Sequence, residues 1–221
     1  MGDAIEKLKE LAREVTAKRE KIDWGALDAT TIRDGLRECP ELQSVLWWTK
    51  LSKDTWFELL KNCDVPVSLC PWLKHFSGEE WCALINARPM LADYCDWSKL
   101  SSMDWCGLLA VHPAFYKFCS KENLNGTAWS FLLREHPDFV ENDVDWGKFD
   151  GEDWVGLLKE TEEYASHCDW TCLDGTDWAE LLIHTQSFDQ HCDWSKLSSD
   201  DWRKVLRYRP ALAEIRLAHA K

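Results

Sequence analysis

Cysteine, histidine, tryptophan and carboxylate side chains recur along this 221-residue sequence at spacings that could bring them together for chemistry. One column runs Cys39, Cys63, Arg88, His112, His136, Thr161, Thr185 and Arg209, and four of its eight members are soft metal ligands. A zinc ion needs its ligands within about 2.0–2.3 Å, whereas members of this column stand about one repeat apart. The Thr and Arg members instead mark a half-exposed helix C-terminus that accepts any polar group. Neither a metal nor any other cofactor is expected. A second column, Cys70, Cys95, Cys119, Cys168 and Cys192, alternates with Ile22, Leu46 and Val144, so it selects a small apolar core group rather than a disulfide partner. There is no His-Glu-x-x-His zinc motif, no Walker phosphate loop and no Gly-x-Ser-x-Gly elbow, and the chain is expected not to be an enzyme.

The elements that must position these columns follow from the 15 tryptophans. Trp24, Trp48, Trp72, Trp97, Trp146, Trp170 and Trp194 are spaced by 24 or 25 residues once the gap at Lys121 is bridged. Ile32, Trp56, Trp81, Trp105, Trp129, Trp154, Trp178 and Trp202 form a parallel series, and only Trp47 lies outside both. A period of this length is the mark of a solenoid, in which each repeat buries its apolar face against its neighbours. Ser77-Gly78-Glu79-Glu80, Asp150-Gly151-Glu152-Asp153 and Ser198-Ser199-Asp200-Asp201 each place an N-cap three residues before an acid. Trp178 with Leu181 and Leu182 then forms one helical stripe, and Pro40, Pro89, Pro113, Pro137 and Pro210 close the helix and open a second, shorter one. The i, i+4 pairs Phe115/Cys119 and Phe188/Cys192 fall on that second helix, and Cys192–Leu197 fits a turn or one 3₁₀ turn.

The expected fold is all-α: residues 22–215 as an α-solenoid of about eight two-helix repeats, residues 1–21 as an N-terminal capping helix and 216–221 as a tail, in a single domain. Both Trp columns are expected in the core. The repeat, as in Cys192-Asp193-Trp194-Ser195-Lys196-Leu197, resembles the tandem Trp-rich repeats of bacterial multi-repeat proteins and, more loosely, α-solenoids of the leucine-rich-repeat-variant type. The resemblance covers residues 22–215 and implies a fold without an activity. The cysteine cluster that precedes some leucine-rich-repeat-variant arrays is missing here, so no iron–sulfur cluster is implied.

Charge supplies the functional clue. The net charge is −13, and the segment from Glu141 to Asp193 alone carries fifteen acids against Lys148 and Lys159. Some of these acids are helix caps; Glu160, Glu162 and Glu163 are not. The density along two stacked repeats matches that of duplex DNA phosphates, about one per 1.7 Å. Glu141, Asp143, Glu152, Glu160, Glu162, Glu163, Glu180 and Asp189 therefore form a candidate anionic face, with Trp47 as either a separate aromatic interface anchor or a contact for the N-terminal cap. The leading expectation is a non-enzymatic module binding a basic protein surface; the alternative is a nucleic-acid mimic that inhibits a DNA- or RNA-handling enzyme. Direct nucleic-acid or membrane binding is not expected from an acidic chain. The charged N-terminus, MGDAIEKLKELAREV, lacks the apolar centre of a secretory signal and points to the cytoplasm.

Overall fold

The computed structural model describes residues 23–40, 42–137 and 144–219. The described residues are helical, with no strand among them, and no helix among them is long and apolar enough to cross a membrane. Among the described residues, ten α-helices follow in order: α1 (Ala29–Glu38), α2 (Leu42–Val45), α3 (Lys53–Asn62), α4 (Gly78–Ala87), α5 (Ser102–Val111), α6 (Gly126–Glu135), α7 (Gly151–Leu158), α8 (Gly175–His184), α9 (Ser199–Tyr208) and α10 (Ala213–His219). The chain divides into two compact bodies, Met1–Leu100 and Ser101–Lys221. In the first, α1 packs on α3 and α3 on α4; in the second, α5 to α9 each pack on the next. The segment proposed as an N-terminal cap, residues 1–21, lies outside the described residues.

The helix starts follow the cap signals. Asp28, Ser52 and Asn125 accept an amide N–H of the first turn, and Ser77, Ser101, Asp150, Asp174 and Ser198 close full capping boxes with Glu80, Asp104, Asp153, Asp177 and Asp201. Each such cap contributes about 1 kcal/mol. The second helical piece differs from expectation. It is 3₁₀ rather than α, as in Pro89–Tyr94, Pro113–Phe118 and Glu162–His167, so the i, i+4 facing assumed for Phe115/Cys119 does not apply there. The short Trp-x-Lys segments, such as Trp97–Lys99 and Trp194–Lys196, are single 3₁₀ turns, as the spacing predicts.

The two Trp columns also separate. Trp56, Trp81, Trp105, Trp129, Trp154 and Trp178 are essentially fully buried. In the other column only Trp24 and Trp48 are buried; Trp72, Trp97, Trp146, Trp170 and Trp194 are half-exposed. Of these rings, Trp146, Trp170 and Trp194 lie flat on buried ones, with centroids 5.4 Å apart for Trp146/Trp154 and 5.5 Å for Trp170/Trp178 and for Trp194/Trp202. On the outer faces of Trp146 and Trp170 sit exposed histidines, His167 at 4.5 Å and His191 at 4.6 Å, both nearly parallel.

Two further columns join neighbouring helices. The consensus Lys reaches back to the preceding 3₁₀ turn: Lys148 Nζ donates to the carbonyls of Lys121, Glu122 and Leu124 at 2.9, 3.3 and 2.8 Å, and Lys196 does the same to Thr171 and Leu173. The helix C-terminal column is equally specific. Arg88 donates to the Leu60 and Cys63 carbonyls, Arg209 to those of Leu182 and Thr185, and the His136 ring nitrogen bonds Ala110 O at 2.9 Å. These groups satisfy carbonyls at the previous helix's last turn, and Arg88 and Arg209 place positive charge at its negative end. Lys148→Met keeps the aliphatic stem and removes the donors. It is expected to destabilise the second body by about 1–2 kcal/mol, read as a lower urea midpoint; an unchanged midpoint would show that water replaces the ammonium without loss.

All ten cysteines are free thiols. Burial pushes the Cys70 thiol up to about 11 and those of Cys95, Cys119 and Cys192 to about 12, and raises Cys168 in the same way. A thiol is inert until ionised. Titration with a chromogenic disulfide at mildly alkaline pH is therefore expected to modify the exposed Cys39 and Cys172 first and the five column cysteines only on unfolding. Equal rates before and after denaturant would contradict that order.

Candidate partner-binding face

Four successive helices of the second body present one common face. Met103, Cys106, Gly107 and Ala110 on α5, Thr127, Ser130, Phe131 and Arg134 on α6, and Glu152, Val155, Gly156 and Lys159 on or just after α7 follow the i, i+3, i+4, i+7 spacing, and Asp177 and Glu180 extend the face onto α8. They line a groove of about 570 Å³, a volume typical of ligand sites.

Its composition changes along its length. The α5 end is uncharged, with Met103 63% exposed and Phe131 of α6 37% exposed. The α7–α8 end holds Asp150, Glu152, Asp153, Asp177 and Glu180 against Lys159, with Arg134 of α6 at the boundary. Beyond it, the corresponding positions on α9 are Asp200, Arg203, Lys204 and Arg207, so the acid gives way to base. Two floor positions are mid-helix glycines, each costing about 0.5–1 kcal/mol relative to Ala. Packing does not require either one. A Cβ at Gly107 would meet nothing within 4 Å, and one at Gly156 only the Ser130 hydroxyl at 3.5 Å.

The capping acids are held close to their neighbours. Burial raises the carboxyls of Asp153 and Asp177 above the ordinary Asp range, and the negative charge of Asp150 adds to both shifts. Asp153 accepts from its own N-cap amide and from Thr127 of the preceding helix, so one carboxylate serves two helix N-termini. A carboxyl whose pKa is higher in the folded chain binds its proton more tightly there, so protonation favours folding. Stability is therefore expected to rise as pH falls through the raised values toward that of an ordinary Asp. It should then decline as Glu80 and Glu162, held low by hydrogen bonds from Lys53 and Thr185, are protonated. Asp153→Asn should flatten the rise in a series of urea midpoints against pH; an unaltered profile would place its origin elsewhere.

The acids singled out in the sequence fall into distinct settings. Glu152 and Glu180 line the groove. Glu160 pairs with Arg134 at 3.1 Å, and Glu180 with Lys159 at 2.6 Å. Glu162 accepts from the Thr185 hydroxyl, and Glu163 is exposed on the 3₁₀ segment after α7. Asp189 is held in a two-point pair with Arg209 at 2.6 and 2.7 Å, half-buried, which commits its charge to the fold. Trp47 lies in the first body, half-buried with Lys50 Nζ 5.3 Å from its ring centre, and the acids lie in the second. Glu141 and Asp143 lie outside the described residues. Sequence reasoning passed over the apolar half of the groove: Met103, Gly107 and Phe131 sit on the polar side of their repeats, where an exposed Met or a mid-helix Gly was the available signal. Among the described residues, no group of three His, Cys, Asp or Glu side chains could hold a metal ion. No family model, curated protein or solved structure matches the chain.

Proposed function

We propose that the chain is an α-solenoid of about eight short helical repeats that acts as a non-enzymatic interaction module, docking a protein partner through a basic surface of that partner. The observation that carries this reading is the acidic α7–α8 end of the common helical face, where Glu152 and Asp177 line an open groove beside the Glu180–Lys159 pair. A local excess of one charge sign steers an oppositely charged partner and fixes its register. The nucleic-acid-mimic alternative is less well supported. Duplex mimicry needs an extended run of unpaired negative charge, whereas Glu160, Glu180 and Asp189 are ion-paired and Arg203, Lys204 and Arg207 bound the acidic stripe.

The test is capture from native cell extract by the wild-type chain and by the double variant Glu152→Lys, Glu163→Lys, at low and high salt and with duplex DNA as competitor. A cation-rich protein retained by the wild type at low salt, lost in the variant and unaffected by DNA is the expected outcome. Loss to competing DNA would favour the mimic. Salt-independent capture that disappears in Trp47→Ala would move the interface to the first body.

A further inference from the structure

We infer that the groove across α5–α8 receives an extended peptide segment of its partner, one half of which is apolar and the other basic. This inference rests on the interaction-module reading and gives it a defined occupant. Helices pack roughly 8–10 Å apart, so crossing from α5 to α8 covers about 25–30 Å. An extended chain rises about 3.3 Å per residue, which sets the segment at about eight residues. Alternate side chains of such a chain face one side. Those over α5 and α6 meet Met103, Cys106, Ala110 and Phe131, with Arg134 turned to Glu160 at the boundary, and those over α7 and α8 meet Glu152, Asp177 and Glu180. Hydrophobic contact thus recognises one half and charge complementarity the other.

The floor gives an independent reason. Gly107 and Gly156 stand mid-helix where no neighbouring atom excludes a side chain. A residue that breaks a local rule without a packing cause is what a binding surface produces, because a bare backbone admits close approach of a ligand. A helix laid lengthwise on one α-helix would use neither both glycines nor the apolar-to-acidic change, which runs across the helices rather than along them. The basic α9 face of a second copy, where Tyr208 is exposed beside Arg203, Lys204 and Arg207, is the competing occupant, and sedimentation distinguishes it.

The probe is a fluorescent peptide, Leu-Ser-Leu-Ser-Lys-Ser-Lys-Ser, compared with the interleaved order Leu-Ser-Lys-Ser-Leu-Ser-Lys-Ser and with a version carrying Glu in place of Lys. Anisotropy titrations use the full chain, Gly107→Leu, and the pair Glu152→Gln, Glu180→Gln. Gly107→Leu fills the groove into open space and keeps every charge, so its thermal midpoint is expected to match or exceed wild type. The segregated peptide is expected to bind the wild type and to lose about tenfold or more in affinity with Gly107→Leu. The carboxamide pair should weaken it in a salt-dependent way, and the Glu version should not bind. Equal binding by Gly107→Leu, equal binding of the interleaved peptide, or no binding of any peptide overturns the groove. If the glutamate changes abolish capture of the basic partner while Gly107→Leu leaves it intact, the acidic-face reading stands and the groove does not. Sedimentation showing wild-type self-association that Gly107→Leu removes would make a second copy the occupant and overturn the peptide.

Discussion

Trp154→Ala is expected to destabilise the second body by about 3–5 kcal/mol, the range for emptying a large aromatic site. The ring is 1% exposed, lies flat on Trp146 at 5.4 Å and meets Phe149 at 4.7 Å, so its loss opens a void bounded by rings that cannot close over it. Its indole N–H has no hydrogen-bond acceptor, and the packing of the ring is what holds it in place. Because α7 packs chiefly on α6 and α8, the damage should spread to both and lower the cooperativity of unfolding. Trp146→Ala, at a half-exposed ring of the other column, should cost clearly less. Urea denaturation followed by circular dichroism compares the two; equal losses would contradict the separation of the Trp columns into buried and half-exposed sets.

Gly126→Ala is the second large effect, at about 3 kcal/mol, the upper part of the range for overpacking. Ala ordinarily improves a helix, and at this first helical position the sign reverses. An added Cβ would stand 2.5 Å from the Lys148 carbonyl oxygen and closer still to the Asp153 carboxylate. The backbone atom cannot rotate away, and moving Asp153 breaks its bonds to both helix N-termini. Gly107→Ala is the control: the same change in open space should be neutral or stabilising by a few tenths to about 1 kcal/mol. A neutral Gly126→Ala would mean that the α6–α7 contact adjusts more freely than its geometry allows.

What could be read from the sequence was whatever is local in the chain. Cap residues, the Trp-x-x-Leu-Leu stripe and the closing Pro act within one turn or two, and the structure places the N-caps and the 3₁₀ Trp-x-Lys turns where those signals stand. The columns misread or passed over were those whose partner lies about one repeat away. The lysines at 99, 148 and 196 look like solvated charge until the preceding turn's carbonyls stand beside them. Arg88, His136 and Arg209 look like tolerated polar residues for the same reason. His167 and His191 share a column with Tyr94 and Phe118, an aromatic recurrence that could have disclosed the outer ring of each stack. The acid was visible as a sum and not as a surface. Only packing distinguishes Asp189, fixed by Arg209, from Glu152, which lines the groove.

On the proposed function, a cationic partner lands on the common face of α5–α8. The most direct measurement is an amide chemical-shift map of the labelled chain as the captured partner is added. The account predicts shifts concentrated at Gly107, Phe131, Glu152, Gly156 and Glu180, reduced by salt. Shifts confined to residues around Trp47, or to the Trp146 and Trp170 edge with its stacked histidines, would contradict it.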